Sequence, residues 1–222
     1  MKLRALLGFS AVTFSLLGCS GVFESDMAAP QAYVLRLPPG AAPEPGPTGG
    51  RVVVQRPEAS PGLESERIAL LRSEQRFDFY AASRWAAPAP DIVESVIIDT
   101  LRATGAFSAV LDDSAAFAGR YSLRCTLRRF EADYTKGSGA PTVFVTLDCT
   151  LGRRRDRELL ASFTAQGSAR AAEDRLNAVV GAFEAATAAA MSELGRAATA
   201  AVATEKLEDT KPAGDQQPSE SR

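Results

Sequence analysis

The chain has 222 residues, 25 basic against 27 acidic side chains, a formal net charge of −2 and no histidine. The missing imidazole excludes Ser-His-Asp triads, histidine acid–base catalysis and most zinc sites. The slight acidity argues against nucleic-acid binding through bulk charge, and there is no GxxxxGK[ST] loop to cradle a phosphate.

The N-terminus reads as an export signal. Lys2 and Arg4 make a positive start, Ala5 to Leu17 is apolar or small, and Leu16-Leu17-Gly18-Cys19 closes the run. A charged beginning, an apolar stretch of about 7–15 residues and a small residue at the cut describe a secretion signal. A bilayer span needs about 20 apolar residues, so a membrane helix fits less well. The ending resembles the bacterial lipobox, whose cysteine is acylated, with palmitate for example, and becomes the first residue of the mature chain. Residues 1–18 are therefore expected to be a lipoprotein signal and Cys19 the lipidation site. Two or three acyl chains, each buried methylene worth about 0.8 kcal/mol, make such an anchor effectively permanent. Ser20 stands where an aspartate would resemble an inner-membrane retention signal, so the expected location is the cell envelope, facing the periplasm from the outer membrane. Residues 19–31 read as the acylated tether.

From there, AYVLRL (32–37) alternates like a strand, and PPGAAPEPGPTGG (38–50) is a proline- and glycine-rich loop. RVVVQRP resumes a strand at Arg51 and stops at Pro57. ERIALLR (66–72) and RFDFYAA (76–82) flank Ser73-Glu74-Gln75 as a hairpin. A helix follows, with Pro90 and Asp91 in its first turn and Gly105 suited to its C-terminal cap. Ile92, Val93, Val96, Ile97 and Leu101 recur on its apolar face.

Phe107 to Leu111 reads as a short strand before the Asp112-Asp113-Ser114 turn. Residues 120–130 put Tyr121, Leu123, Cys125 and Leu127 on one face. Residues 141–151 do the same with Val143, Val145, Leu147, Cys149 and Leu151, and residues 158–168 give a third strand, so the three predict an antiparallel meander. From about Ala171 the period turns helical, carried by Leu176, Val179, Val180, Phe183, Thr187, Ala190, Met191 and Leu194 in an alanine-rich run of high helix propensity. Packing is expected through Leu194, with the course of the helix beyond it left open. Residues 204–222, polar and proline-containing, read as a disordered tail. The expected fold is α+β: a largely antiparallel sheet with two helices on one face, in a single domain over residues 32–203.

A handful of residues invite a functional reading. Cys125 and Cys149 each lie twelve residues from Gly137, which makes them cross-strand partners if the hairpin turns there. Either they form a disulfide, worth roughly 3 kcal/mol in the chain-entropy model, or they are two reduced core cysteines. Arg84-Trp85 either covers a core edge or offers a partner hot spot. Arg153-Arg154-Arg155 is either a solvated turn or a site for anionic headgroups or an acidic partner loop. The carboxylate pairs Asp112-Asp113 and Glu173-Asp174 are explained by a turn and a helix start. No catalytic residue, metal site or cofactor is implied.

Several stretches resemble the ABC-type transport auxiliary lipoproteins of PqiC type. They are Tyr33-Val34-Leu35, the pair RVVVQRP and GLESERIALL, FDFYAASRWAAP, LRATGAF, Tyr121-Ser122-Leu123 leading to Phe130, and VVGAFEAAT. The resemblance covers roughly residues 32–195, while the 38–50 insert and the tail lie outside it. It implies a non-enzymatic periplasmic lipoprotein beside an ABC transporter permease and ATPase and a mammalian-cell-entry (MCE) protein, moving lipids or other hydrophobic molecules between two membranes, with homo-oligomer formation an option. The alternative from another class is an outer-membrane lipoprotein that regulates a cell-wall synthase or lipopolysaccharide assembly.

Overall fold

The computed structural model describes residues 29–37, 49–73, 76–115, 117–137 and 139–210. The expected signal segment, Cys19, most of the 38–50 loop and residues 211–222 lie outside the described residues. The elements are β1 (Gln31–Tyr33), β2 (Val52–Val54), β3 (Glu58–Ala59), β4 (Arg67–Leu71), β5 (Phe77–Trp85), α1 (Ala89–Thr104), β6 (Val110–Asp112), β7 (Tyr121–Asp133), β8 (Thr142–Arg153), β9 (Glu158–Arg170) and α2 (Leu176–Thr210).

β7 organises the sheet. Along one edge it pairs antiparallel with the whole of β8, which pairs in turn with β9, and this meander supplies most of the ladder. Along its other edge three short strands follow one another, all parallel to it: β2 beside Tyr121–Leu123, β3 beside Thr126 and Leu127, and β4 beside Glu131–Asp133. β6 extends the sheet beyond β2, and β5 and then β1 extend it beyond β4. The sheet is thus mixed, mostly antiparallel by paired residues, and open. The two helices lie on one face, giving the α+β domain that alternation and periodicity anticipate.

Alternation along β7 puts Tyr121, Leu123, Cys125 and Leu127 in the core. A register shift between Leu127 and Arg129 then changes the phase, so that Phe130 and Ala132 also point inward. Bulges of this kind re-aim side chains at the cost of one unpaired residue. In β8 the inward positions are Val143, Val145, Leu147, Cys149 and Leu151, all buried. Cys125 and Cys149 are direct register partners with Cα atoms 4.1 Å apart, and the structure joins them as a disulfide.

Two expected boundaries move. The strand anticipated over residues 32–37 is reduced to β1, because the Arg36 N–H leaves the ladder and donates to Glu184 Oε1 on α2 (2.9 Å). The strand anticipated at 107–111 is β6, while Phe107, outside it, forms an isolated bridge to Gly49 and packs edge-on against Tyr121.

α2 owes its position to small residues. It lies over β8 and β9, with Ala182, Ala186, Ala190 and Ala198 buried. A Cβ on Gly167 of β9 would stand 2.0 Å from the Ala186 carbonyl oxygen, so the helix backbone rests directly on the strand there. The helix also continues past residue 204, where the polar tail was expected, to Thr210. Ala198, Val202 and Glu205 are buried, so packing extends well beyond Leu194.

Two glycine substitutions should therefore act in opposite directions in urea denaturation. Gly167→Val should destabilise by at least the about 1–3 kcal/mol typical of overpacking, because the two nearest obstacles, the Ala186 carbonyl oxygen and the Ala190 nitrogen, are backbone. Gly181→Ala, with nothing within 4 Å of the new methyl, should stabilise α2 by about 0.5–1 kcal/mol.

Candidate functional site: a groove between the helices

α1 begins at Ala89 after Pro88, carries Asp91 in its first turn and ends on Gly105, whose φ of 65° is the left-handed cap glycine favours. Its innermost stripe is Val93, Ile97 and Leu101, each no more than 1% exposed. Ile92 and Val96, which share the apolar face in sequence, sit one side of that stripe and are only half-buried. They look into a groove of about 940 Å³, within the about 300–1,000 Å³ usual for small-molecule sites.

The opposite wall is α2, through Ala188, Met191 and Gly195, and the segment Val34–Leu37 closes a third side. Arg36 stands near Glu184, to which its own N–H is bonded, and Arg196 follows Gly195. A Cβ on Gly195 would meet Thr104 at 3.2 Å, so the helices close on each other there. Between Ala188 and Arg196 the groove follows α2 for about 12 Å at 1.5 Å per residue.

The lining is chiefly apolar, and its charges are unevenly matched. Asp91 is paired with Arg56, and Asp99 with Arg102 (3.4 Å). Arg36 and Arg196 have no ion-pair partner among the described residues. Half-exposed Val34 adds an apolar lip. The arrangement suits an elongated, largely apolar occupant.

The residues singled out in the sequence are dispersed. Trp85 is wholly buried, with its ring centroid 5.6 Å from that of Phe130 and 5.1 Å from that of Phe183. It cannot serve as a partner hot spot on the folded domain, and its indole N–H finds no acceptor among the described residues. Arg84 is exposed and ion-paired with Glu66. Arg154 and Arg155 lie exposed in the turn between β8 and β9.

Arg153 does not share that surface. Its side chain is 14% exposed and reaches Glu205 Oε1 at 2.7 Å, as well as Asp156 and Glu158. Glu205, buried near the end of α2, also accepts from Arg120 (2.8 Å) and the Tyr121 hydroxyl (2.5 Å). Burial alone would raise the Glu205 carboxyl, but these three donors outweigh it and hold its pKa below the ordinary value. Burial, with help from Glu205, pushes the Tyr121 phenol up to about 12. One carboxylate thus clamps α2 to the start of β7 and the end of β8. In the sequence nothing distinguishes Glu205 from the acidic tail around it.

A family model described as "ABC-type transport auxiliary lipoprotein component" matches residues 33–195. The chain belongs to that family. Protein XCC0632 from Xanthomonas campestris is 25% identical, with a TM-score of 0.69 over 80% of this chain and 99% of that one. An uncharacterised protein of known structure is 14% identical, with a TM-score of 0.59 over 76% of this chain and 98% of its own. A PelC dodecamer from Paraburkholderia phytofirmans is 19% identical at a TM-score of 0.39, covering 71% of this chain and 90% of that one. No curated protein matches the chain. The auxiliary-lipoprotein family places the protein in the cell envelope, associated with an ABC transport system, and it is not a known enzyme family.

Glu205→Gln should lower stability at pH 7 by about 1–3 kcal/mol, the cost of under-serving buried partners. Because the native pKa is depressed, the contribution of Glu205 is complete above its unfolded value of 4.5 and is lost as pH falls through the lower native value. Urea midpoints of the two proteins should therefore differ at pH 7 and converge near pH 3.

Proposed function

We propose that this auxiliary lipoprotein is held by acylated Cys19 on the periplasmic face of the outer membrane and serves a transport system built from an ABC permease and ATPase and an MCE-domain protein, without catalysing any reaction itself. Its role is to couple that machinery to the membrane and to handle lipid or another hydrophobic cargo at the groove between α1 and α2. The observation that carries the reading is an apolar groove, open along two helices, in a domain that matches the transport-auxiliary family over residues 33–195. Two features support it. The Leu16–Cys19 sequence has the form of a lipobox. The Cys125–Cys149 bond suits an oxidising compartment, where disulfides persist.

Metabolic labelling with a fatty acid should mark the protein in cells, and Cys19→Ser should abolish the label and release the chain from the membrane fraction. A photo-crosslinker at Val96 should capture lipid or an MCE protein in the envelope. Val96→Glu, at a half-buried position packed against the core, should leave the domain folded, costing about 0.5–3 kcal/mol of stability, while impairing transport. An unlabelled chain, or normal transport with Val96→Glu, would contradict the proposal.

A further inference from the structure

The sheet face away from the helices is polar. Over most of it the charges are already matched: Arg128 pairs with Asp148 at 2.8 Å, and Thr164 donates to the same carboxylate at 2.8 Å. At the end where β7, β8 and β9 meet, the pattern changes. A hollow of about 570 Å³ is lined there by Arg124 of β7 and by Arg154 and Arg157 of the β8–β9 turn, with Gln55, Ser122 and Thr150 as neutral hydrogen-bonding neighbours.

None of those three guanidinium groups has an ion-pair partner among the described residues. The single acid on the lining, Glu158, is engaged by Arg153, which is itself held by Glu205. Three uncompensated positive charges thus share one concavity on a chain whose net charge is −2. Such a hollow focuses positive potential. Arg157 takes a left-handed backbone conformation (φ 60°), which an arginine rarely adopts.

We propose that the hollow formed by Arg124, Arg154 and Arg157 is a binding site for a phosphate group. Planar guanidinium forks pair bidentately with tetrahedral oxyanions, and three of them can serve the several oxygens of one phosphate. The neighbouring Ser122, Thr150 and Gln55 side chains add neutral hydrogen bonds. The phosphate is either free or part of an anionic lipid headgroup. The site lies apart from the groove and depends neither on Cys19 nor on cargo handling.

The test is calorimetric titration of the purified full chain with inorganic phosphate in one arm and, in another, with dihexanoyl phosphatidylglycerol below its micellar concentration. Substituting all three arginines by glutamine, as Arg124→Gln, Arg154→Gln and Arg157→Gln together, should weaken binding by at least about tenfold. It should leave the thermal midpoint unchanged, because no ion pair is lost. A control of equal charge, Arg51→Gln with Arg76→Gln and Arg170→Gln, removes three other exposed arginines that do not line the hollow and should bind like the parent. Binding in the first arm assigns a free-phosphate source, and binding in the second alone assigns a lipid headgroup. Undiminished binding by the first triple variant, an equal loss in the control, or tighter binding of an acidic glutamate peptide than of either phosphate would overturn the proposal.

Discussion

The close seating of α2 on the sheet is the constraint from which the rest follows. At Gly167 the helix backbone lies against the strand with no room for a Cβ. That contact fixes the height of α2 above β8 and β9, and the alanines beneath the helix keep it there. Phe183 then comes within ring-stacking range of both Trp85 and Phe130, tying the helix to β5 and β7. At the far end, Glu205 fastens the helix to Arg120, Tyr121 and Arg153. A helix pinned at both ends and pressed flat between them is a rigid wall. α1, touching it at Gly195, can leave an apolar opening beside it without the two collapsing together.

This arrangement gives the sheet two unlike faces. The helix-covered face buries the aromatic and aliphatic core and carries the apolar groove. The other face carries cross-strand polar pairs and, at one end, arginines without acids. Burial explains why the division is sharp: side chains of β8, and of β7 as far as Leu127, alternate between the faces, and one residue of slippage would exchange them. The register shift after Leu127 preserves that sorting where strict alternation would have sent Phe130 and Ala132 to solvent. The disulfide between Cys125 and Cys149 locks the same register at the centre of the pair.

Much of this was legible in the sequence, for physical reasons. Period-two runs as long as β7 and β8 admit one reading, and α1 announces itself through proline, aspartate, an apolar stripe and a cap glycine. What stayed hidden depends on partners distant in sequence. Arg36 leaves its strand because Glu184 takes its N–H, a competition between residues far apart in the chain. The last turns of α2 look like solvated tail because the residues that make Glu205 worth burying belong to β7 and β8. Ile92 and Val96 follow the helical period as faithfully as Val93 and Ile97, yet line an opening because α2 stands off from them. Trp85 and Arg153, attractive as surface residues in isolation, are claimed by the core and by a buried carboxylate. Arg154 kept its exposure, but its companions in the hollow are Arg124 and Arg157 rather than its neighbours in the run of arginines.

The entry of the chain adds a geometric limit to the proposed function. β1 begins at Gln31, and the groove wall Val34–Leu37 follows it directly. Under the proposed anchoring, the stretch from Cys19 to Gln31 spans roughly 40 Å at most when fully extended. The groove mouth is then confined to a shell of that depth beneath the membrane. A tether of this length lets the domain meet its own bilayer but cannot carry it across to a second membrane. Any partner that delivers cargo to the groove must itself cover the remaining distance, the task of an elongated assembly rather than of this domain. Under that anchoring, a short leash and a rigid helix beside an apolar opening suit a fixed docking point.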